Sequence, residues 1–271
     1  MAAITFPAVA VVPRRSLSRT IALYAKEAKY ELLKNIRIPI YAISTVAFPV
    51  MFYVLFGIVL GANATDRKDN ATYMLATMGC FGVIAVALFG FGVSLAVERG
   101  QGWLQVKRAS PMPVSAYFFG KMCSAVVFST VIMLLLLAIG FAFGGVRMPI
   151  ATAAKLVGIL VAGSIPFSAM GMAIGYFAKP NSAPGLVNLI YLPMSFCSGL
   201  WIPLFMLPHG LRTFAKLLPP YHLSQLSLNA VGMVNDPTPA WGHVEALIAS
   251  TLVCLGLAAW GYRRDQGKTY G

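Results

Sequence analysis

Residues 122–146 read MCSAVVFSTVIMLLLLAIGFAFGGV and contain no Asp, Glu, Lys or Arg. A helix rises about 1.5 Å per residue, so this stretch exceeds the roughly 20 residues that cross a hydrocarbon core of about 30 Å. The whole chain has the same character, because 58% of its 271 residues are hydrophobic and 11% are charged. So few charges cannot cover so much apolar surface in water, which excludes a soluble enzyme, a disordered tail and a coiled coil. The sequence predicts an all-α polytopic membrane protein.

Similar apolar segments on both sides of this stretch give a count of six transmembrane helices. We predict a cytoplasmic N-terminal segment at 1–37 and a membrane domain at 38–271, with spans at 38–61, 71–97, 115–146, 150–178, 184–207 and 242–262. The charge-free cores of the first four spans also lack histidine. Ion-coupled carriers commonly place ionisable groups at mid-membrane. Their absence indicates that energy for transport comes from outside this chain.

The distribution of cations predicts the orientation of the spans. If the N-terminus is cytoplasmic, 15 of the 21 Lys and Arg residues fall on the inside and six on the outside. Cytoplasmic loops carry an excess of Lys and Arg, so both termini are predicted to be cytoplasmic. The net charge of +13 does not indicate nucleic-acid binding, because the cations lie at the ends of apolar runs and not on one water-exposed patch.

The segment before the first span has helical periodicity over residues 18–37. Its apolar positions fall on one face and its charged positions on the other. The apolar face comprises Leu17, Ile21, Tyr24, Ala25, Ala28, Leu32 and Ile36, and the polar face comprises Arg19, Lys26, Glu27, Lys29, Glu31, Lys34 and Arg37. We predict a basic amphipathic helix that lies in the cytoplasmic membrane interface. A solvated helix that packs on a partner is the alternative.

The loop at 98–113, between the second and third spans, carries the most specific motif. It begins Glu98-Arg-Gly-Gln-Gly-Trp-Leu-Gln-Val-Lys107 and ends Ser110-Pro-Met-Pro113. Residues 103–107 are predicted to form a short amphipathic turn, which the prolines stop. The pattern Glu-Arg-x-x-Gly-Trp-Leu, followed by Ser-Pro-Met-Pro and then Gly-Lys, resembles the cytoplasmic coupling segment of ABC-2 type transporter permeases.

This resemblance implies a partner, because the coupling segment of that family docks into a cleft on a separate ATPase subunit. ATP and Mg²⁺ would then bind to the partner, and no cofactor is expected on this chain. The residues implied in the contact are Glu98, Arg99, Trp103, Lys107 and Pro111. The family often has a second acidic residue two positions after the first, where this chain has Gly100.

A second match to the family lies near the predicted fifth span. It consists of Ser198-Gly-Leu-Trp-Ile-Pro-Leu-Phe-Met-Leu-Pro208 and Leu218-Pro-Pro-Tyr-His-Leu-Ser-Gln225. Backbone broken by proline at membrane depth must be buried in protein or face water. The resemblance implies a re-entrant helical hairpin at 200–230, on the outer side and before the last span. A kinked fifth helix followed by an outer loop is the alternative.

The function that the resemblance implies is that of a permease subunit of an ATP-driven exporter, whose substrate is a drug, an antibiotic, a lipid or another amphipathic molecule. Its expected place is the plasma (inner) membrane of a bacterium. Two six-span subunits would form the twelve-helix permease, as a homodimer or with a paralogous chain. The proline-broken first and fifth spans are the candidates for the dimer seam and translocation path, with Phe48, Pro49, Phe52, Phe196 and Trp201 as the candidate residues.

Two other classes of function compete with a permease subunit. A self-contained channel or facilitator would use the broken fifth segment as a pore lining and would need no ATPase. A membrane-embedded enzyme or a structural anchor is the third possibility, but the spans show no convergent Asp, His and Glu cluster. The three histidines, His209, His222 and His243, are too scattered in the sequence to form a metal signature.

Overall fold

A computed structural model describes residues 17–63, 66–110, 112–233 and 236–265. The N-terminal residues 1–16 and Pro111, both named in the predictions above, lie outside these ranges. The described residues form helices and no strand. The helices are α1 (Leu17–Ile36), α2 (Pro39–Phe52), α3 (Arg67–Ala87), α4 (Ser94–Gly100), α5 (Trp103–Ala109), α6 (Val114–Ala142), α7 (Ile150–Phe177), α8 (Ala183–Cys197), α9 (His209–Ala215), α10 (Pro219–Ala230) and α11 (Ala240–Asp265).

Within the described ranges, five continuous helical segments are long and apolar enough to cross a membrane. They are Pro39–Ala62, Arg67–Gly100, Val114–Ala142, Ile150–Phe177 and Ala240–Asp265. The first contains α2 and the second joins α3 to α4, and both include a π-helical turn, at Tyr53–Val59 and Leu88–Val93. The chain is therefore a multi-pass membrane protein, and these five segments overlap five of the six predicted spans.

The predicted span at 184–207 is not among the five. Helix α8 has 15 residues, about 22 Å of rise, and it ends at Cys197. The helix stops because the chain turns at Gly199, which has a φ of 79° that favours glycine. The count of six spans is therefore not confirmed, and the orientation of the termini stays a prediction.

The predicted re-entrant region at 200–230 contains a short helical turn, Leu204–Met206, and the helices α9 and α10. Helix α10 packs against α3, α7 and α11. Before it, the Tyr73 hydroxyl of α3 donates a hydrogen bond of 2.9 Å to the Gly199 carbonyl. These contacts hold the segment against the helix bundle, while its depth in the membrane stays a prediction.

Helix α7 approaches the π-helical turn at 88–93 closely because two glycines of α7 face it. A Cβ atom on Gly171 would lie 2.9 Å from the Ala87 carbonyl oxygen, and one on Gly175 would lie 2.9 Å from the Gly92 carbonyl oxygen. Real Cβ atoms essentially never come so close to another heavy atom. Small residues at this spacing let membrane helices pack backbone to backbone.

Helix α1 packs along α6 through its polar side, with Glu31 and Asn35 buried. The amide of Asn35 donates to Ser124 Oγ of α6 at 2.9 Å. The exposed surface of α1 carries apolar residues, with Leu17 77% and Ile21 60% accessible, and also the cations Lys26 and Lys29. The predicted helix is therefore present, and its exposed surface combines apolar and cationic residues, while its place in the membrane interface stays a prediction.

Candidate functional site

A buried cluster of charges joins α1, α4 and α6 next to the predicted coupling loop. Its centre is Lys121 of α6, which is 2% exposed. Its ammonium group donates to Glu31 Oε1 at 2.9 Å and to Glu98 Oε1 at 3.1 Å, and also to Ser94 Oγ. Buried charges are tolerated when they are paired and hydrogen-bonded. The cluster therefore fixes three helices relative to one another.

A second ammonium group, that of Lys34 in α1, completes the pairing. It lies 2.6 Å from Glu31 Oε1 and 2.5 Å from Glu98 Oε1. Burial favours the neutral amine, but the charges of Glu98 and Glu31 outweigh the burial and raise the pKa of Lys34. The Tyr117 hydroxyl donates to Glu98 Oε2 at 2.6 Å. Glu98 therefore accepts hydrogen bonds from Lys34 of α1 and from Lys121 and Tyr117 of α6.

This cluster lies directly before the charge-free core of the third predicted span, which begins at Met122. Helix α6 begins at Val114, so Lys121 belongs to a membrane-spanning helix. The apolar stretch begins only after Lys121, and the sequence therefore placed this residue at a span end. The helix accommodates the ammonium group because two carboxylates, one from α1 and one from α4, neutralise it.

Helix α5 carries the predicted coupling residues on a short amphipathic turn. Leu104 is buried against the bundle, whereas Trp103 and Val106 are 54% and 60% exposed. Lys107 donates a hydrogen bond to Glu27 of α1, which ties α5 to the N-terminal helix. Leu104 and Lys107 therefore hold α5 against the bundle and against α1, while the side chains of Trp103 and Val106 stay exposed.

Arg99 lies inside the protein and not on the surface of the loop. Its guanidinium group donates to the carbonyl oxygens of Tyr176 and Ala178, the latter at 2.6 Å, and its Nη1 lies 3.5 Å from Asp265. A cation is favourable at the C-terminal end of a helix, here that of α7. The structure therefore places Arg99 as a tie between α4, α7 and α11. Its contact with an ATPase stays a prediction.

The presence of glycine at position 100 has a steric explanation in this chain. A Cβ atom at this position would lie 2.0 Å from Cγ of Pro180, in the turn after α7. Any larger residue, including the acidic one common in the resembled family, would collide with that ring. The departure from the family pattern therefore coincides with a proline that fills the space.

The five predicted seam residues meet at one cavity of about 520 Å³ between α2, α3 and α8. Its lining includes Phe48, Pro49, Phe52, Phe196 and Trp201. Pro49 is buried, whereas Phe48 and Phe196 at the rim are 53% and 43% exposed. The sequence assigned these residues to two spans, and the structure brings them together.

Aromatic rings form most of the floor of this cavity. The indole of Trp201 stacks on Phe196 with ring centroids 4.7 Å apart, and it contacts Phe52 at 4.3 Å and Phe81 at 5.1 Å. Tyr191 holds the floor in place by donating to the Phe81 carbonyl at 2.7 Å. Aromatic pairs in such geometries stabilise a packed arrangement beyond the area they bury.

A few polar groups reach the same cavity. Ser44, Thr45 and Asn188 are among its lining residues. The indole Nε1 of Trp201 is buried and has no hydrogen-bond partner among the described residues. An apolar cavity with a small number of polar groups is typical of sites that bind small molecules.

Two histidines that are distant in sequence meet between α10 and α11. His222 Nδ1 and His243 Nδ1 lie 3.0 Å apart, and His243 Nε2 lies 3.8 Å from Asp236 Oδ2. Asp236 is buried, but hydrogen bonds from Tyr221 and Thr238 outweigh the burial and lower its pKa. No group of three or more His, Cys, Asp or Glu residues in the described ranges could hold a metal ion. The pair is a structural link that sequence spacing does not reveal.

Comparisons with known proteins agree with this architecture. The family model described as "ABC-2 type transporter" matches residues 27–230. A relative named "Putative transport permease YvfS", from Bacillus subtilis (strain 168), is 26% identical over 245 residues. That alignment covers 89% of this chain and 97% of the relative. The region matched by the family model begins in α1 and ends with α10, so it includes the charged cluster, α5 and the aromatic cavity.

Proposed function

Because the chain belongs to the ABC-2 type transporter family, we propose that it is the membrane subunit of an exporter driven by a separate ATPase subunit. The observation that carries this proposal is α5, whose outward side presents Trp103 and Val106. Beside it lies a depression of about 380 Å³ lined by charged and aromatic residues of α1, α4 and α5. An exposed tryptophan next to such a depression is typical of an interface anchor.

The charged cluster supports a mechanical role for α5. Lys107 ties α5 to Glu27 of α1, and α1 is tied to α4 and α6 through Glu31 and Lys121. A push on α5 would therefore move α1, α4 and α6 together, since buried ion pairs resist separation. ATP and Mg²⁺ would bind to the partner ATPase, and this chain would transmit the resulting movement to its membrane helices.

The ATPase contact is tested with Trp103→Ala. Truncating an interface tryptophan typically costs about 2 kcal/mol or more, which is roughly 30-fold in affinity. We expect the tagged variant to retain far less ATP-hydrolysing activity on purification from its native membrane, at normal expression. Trp241→Ala is the matched control, since Trp241 is 63% exposed near the start of α11, whereas the end of α11 near Tyr262 borders α5. Equal ATPase retention by Trp103→Ala and wild type would contradict the proposal, and transport that needs no ATP would favour a self-contained facilitator.

The aromatic cavity is our candidate for part of the translocation path, at a seam between two copies of this chain. Its rim is open, because Phe48 and Phe196 are about half exposed. Its aromatic floor and few polar groups suit an amphipathic substrate, such as a drug, an antibiotic or a lipid. The proposed location is the plasma membrane of a bacterium, since the relative described above comes from Bacillus subtilis.

The seam is tested by disulfide cross-linking in a background that lacks the four native cysteines. We expect Phe48→Cys and Phe196→Cys, in separate chains of one complex, to cross-link between chains. Leu252→Cys and Trp260→Cys are matched controls, because these side chains on α11 are at least as exposed as Phe48 and Phe196 but do not line the cavity. Cross-links only within one chain, or equal inter-chain cross-linking at α11, would show that this face is not the seam.

A further inference from the structure

A second groove, of about 510 Å³, lies between α7, α10 and α11 and opens to the outside of the helix bundle. Its walls include Ile159 and Ala162 of α7, Leu226 of α10, and Ile248 and Leu252 of α11. Among the described residues that line it, Thr251 alone has a polar side chain, and its hydroxyl already donates to the Leu247 carbonyl at 2.6 Å. The groove therefore offers an aliphatic surface and no polar partner.

The ends of α11 indicate where this groove lies relative to the membrane. Trp241 and Trp260 are 63% and 56% exposed, near opposite ends of the helix. They are 19 residues apart, about 28 Å along the axis, which matches a hydrocarbon core of about 30 Å. Exposed tryptophans are enriched at the two membrane interfaces. The groove, at Val244 to Leu252, thus begins just below the interface marked by Trp241.

Helix α7 places a cation at the same interface. Helices α7 and α11 run parallel, with Gly261 packed against Tyr176. Counting back 21 residues along each helix puts Lys155 level with Ala240, beside Trp241. Lys155 lies four residues before Ile159 and seven before Ala162, so it shares the helix face that lines the groove.

Lys155 is exposed and has no ion pair among the described residues. We propose that the groove binds one acyl chain of an anionic phospholipid, whose phosphate pairs with the Lys155 ammonium group. The aliphatic groove would contact the acyl chain of such a lipid, and Lys155, at the interfacial end of the groove, would contact its phosphate. This site is distinct from the aromatic cavity, which lies between α2, α3 and α8, and it does not depend on the proposed export function.

The proposal is tested by native mass spectrometry of the full chain, reconstituted with an equal mixture of phosphatidylglycerol and phosphatidylcholine and then extracted. We expect the wild type to retain one phosphatidylglycerol in preference to phosphatidylcholine. Lys155→Ala should lower phosphatidylglycerol retention several-fold, to the level of phosphatidylcholine, and Lys155→Arg should restore it. Arg147→Ala is the control for charge, because Arg147 is an exposed cation that lines a different depression.

The acyl-chain part is tested by filling the groove. Ala162→Phe places a ring in it and should remove both lipid adducts, while Ala249→Phe adds the same bulk to an exposed position of α11 outside the groove and should leave them. Retention of the adduct by Ala162→Phe, or a wild type with no preference between the two lipids, would overturn the proposal. Lys155→Ala alters only an exposed side chain, so its result decides the headgroup pairing even if the groove variant folds poorly.

Discussion

Replacing Lys121 with methionine should destabilise the protein more than replacing its neighbour Lys34. Methionine keeps the length of the side chain but removes the ammonium group, which is 2% exposed and bonded to two carboxylates at 2.9 and 3.1 Å. Breaking a buried ion pair typically costs about 3–5 kcal/mol. Lys34 still neutralises Glu31 and Glu98 in this variant, so we expect a loss at the lower end, about 3 kcal/mol.

The matched variant is Lys34→Met, which removes an ammonium group from the same cluster. The Lys34 side chain is 37% exposed, and partly exposed pairs contribute about 1 kcal/mol or less. The free energy of unfolding of each variant is measured by SDS titration in mixed micelles, with far-UV circular dichroism as the signal. Equal losses in the two variants would refute the buried cluster. So would additivity within about 0.5 kcal/mol in a double-mutant cycle of Lys121→Met and Glu31→Gln, because contacting residues should couple.

Two further predictions concern topology and helix packing. A single cysteine at position 66 should react with a membrane-impermeant reagent added outside intact cells, and one at position 107 should not, because 15 of the 21 Lys and Arg residues lie on the predicted cytoplasmic side. Labelling of position 107 from outside would show that the predicted orientation is wrong. Gly171→Val should destabilise the bundle by about 2 kcal/mol or more, since its side chain meets the Ala87 carbonyl, whereas Gly158→Val enters open space and should leave the unfolding midpoint nearly unchanged.

Apolar run length predicts the membrane helices well because it measures the property that a bilayer selects. The predicted turn at 103–107 is also confirmed, as α5 begins after Gly102, with a φ of 76°, and ends before Ser110. The predicted span at 184–207 is not confirmed, because α8 ends at Cys197 and a left-handed turn at Gly199 interrupts the helix whatever the hydropathy of the residues that follow.

The charged cluster could not be predicted from the sequence for a different reason. Lys121 and Glu31 are 90 residues apart, and charge patterning reports only on residues of one helix. A lysine at the end of an apolar stretch is expected to face water, whereas Lys121 is covered by the polar side of α1. The aromatic cavity was partly predictable, since prolines marked both of the segments that form it, but the meeting of Phe52 and Trp201 depends on the turn after α8.

The pairing of α1 with Lys121 has a consequence for how the chain is made. Synthesis proceeds from the N-terminus, so Glu31 leaves the ribosome 90 residues before Lys121, and Glu98 leaves it 23 residues before. Both carboxylates have therefore been synthesised before α6 and its ammonium group emerge. A chain shortened to begin after α1 would insert α6 with one carboxylate fewer, and quality-control proteases would meet the defect during biogenesis, before any substrate or nucleotide is involved.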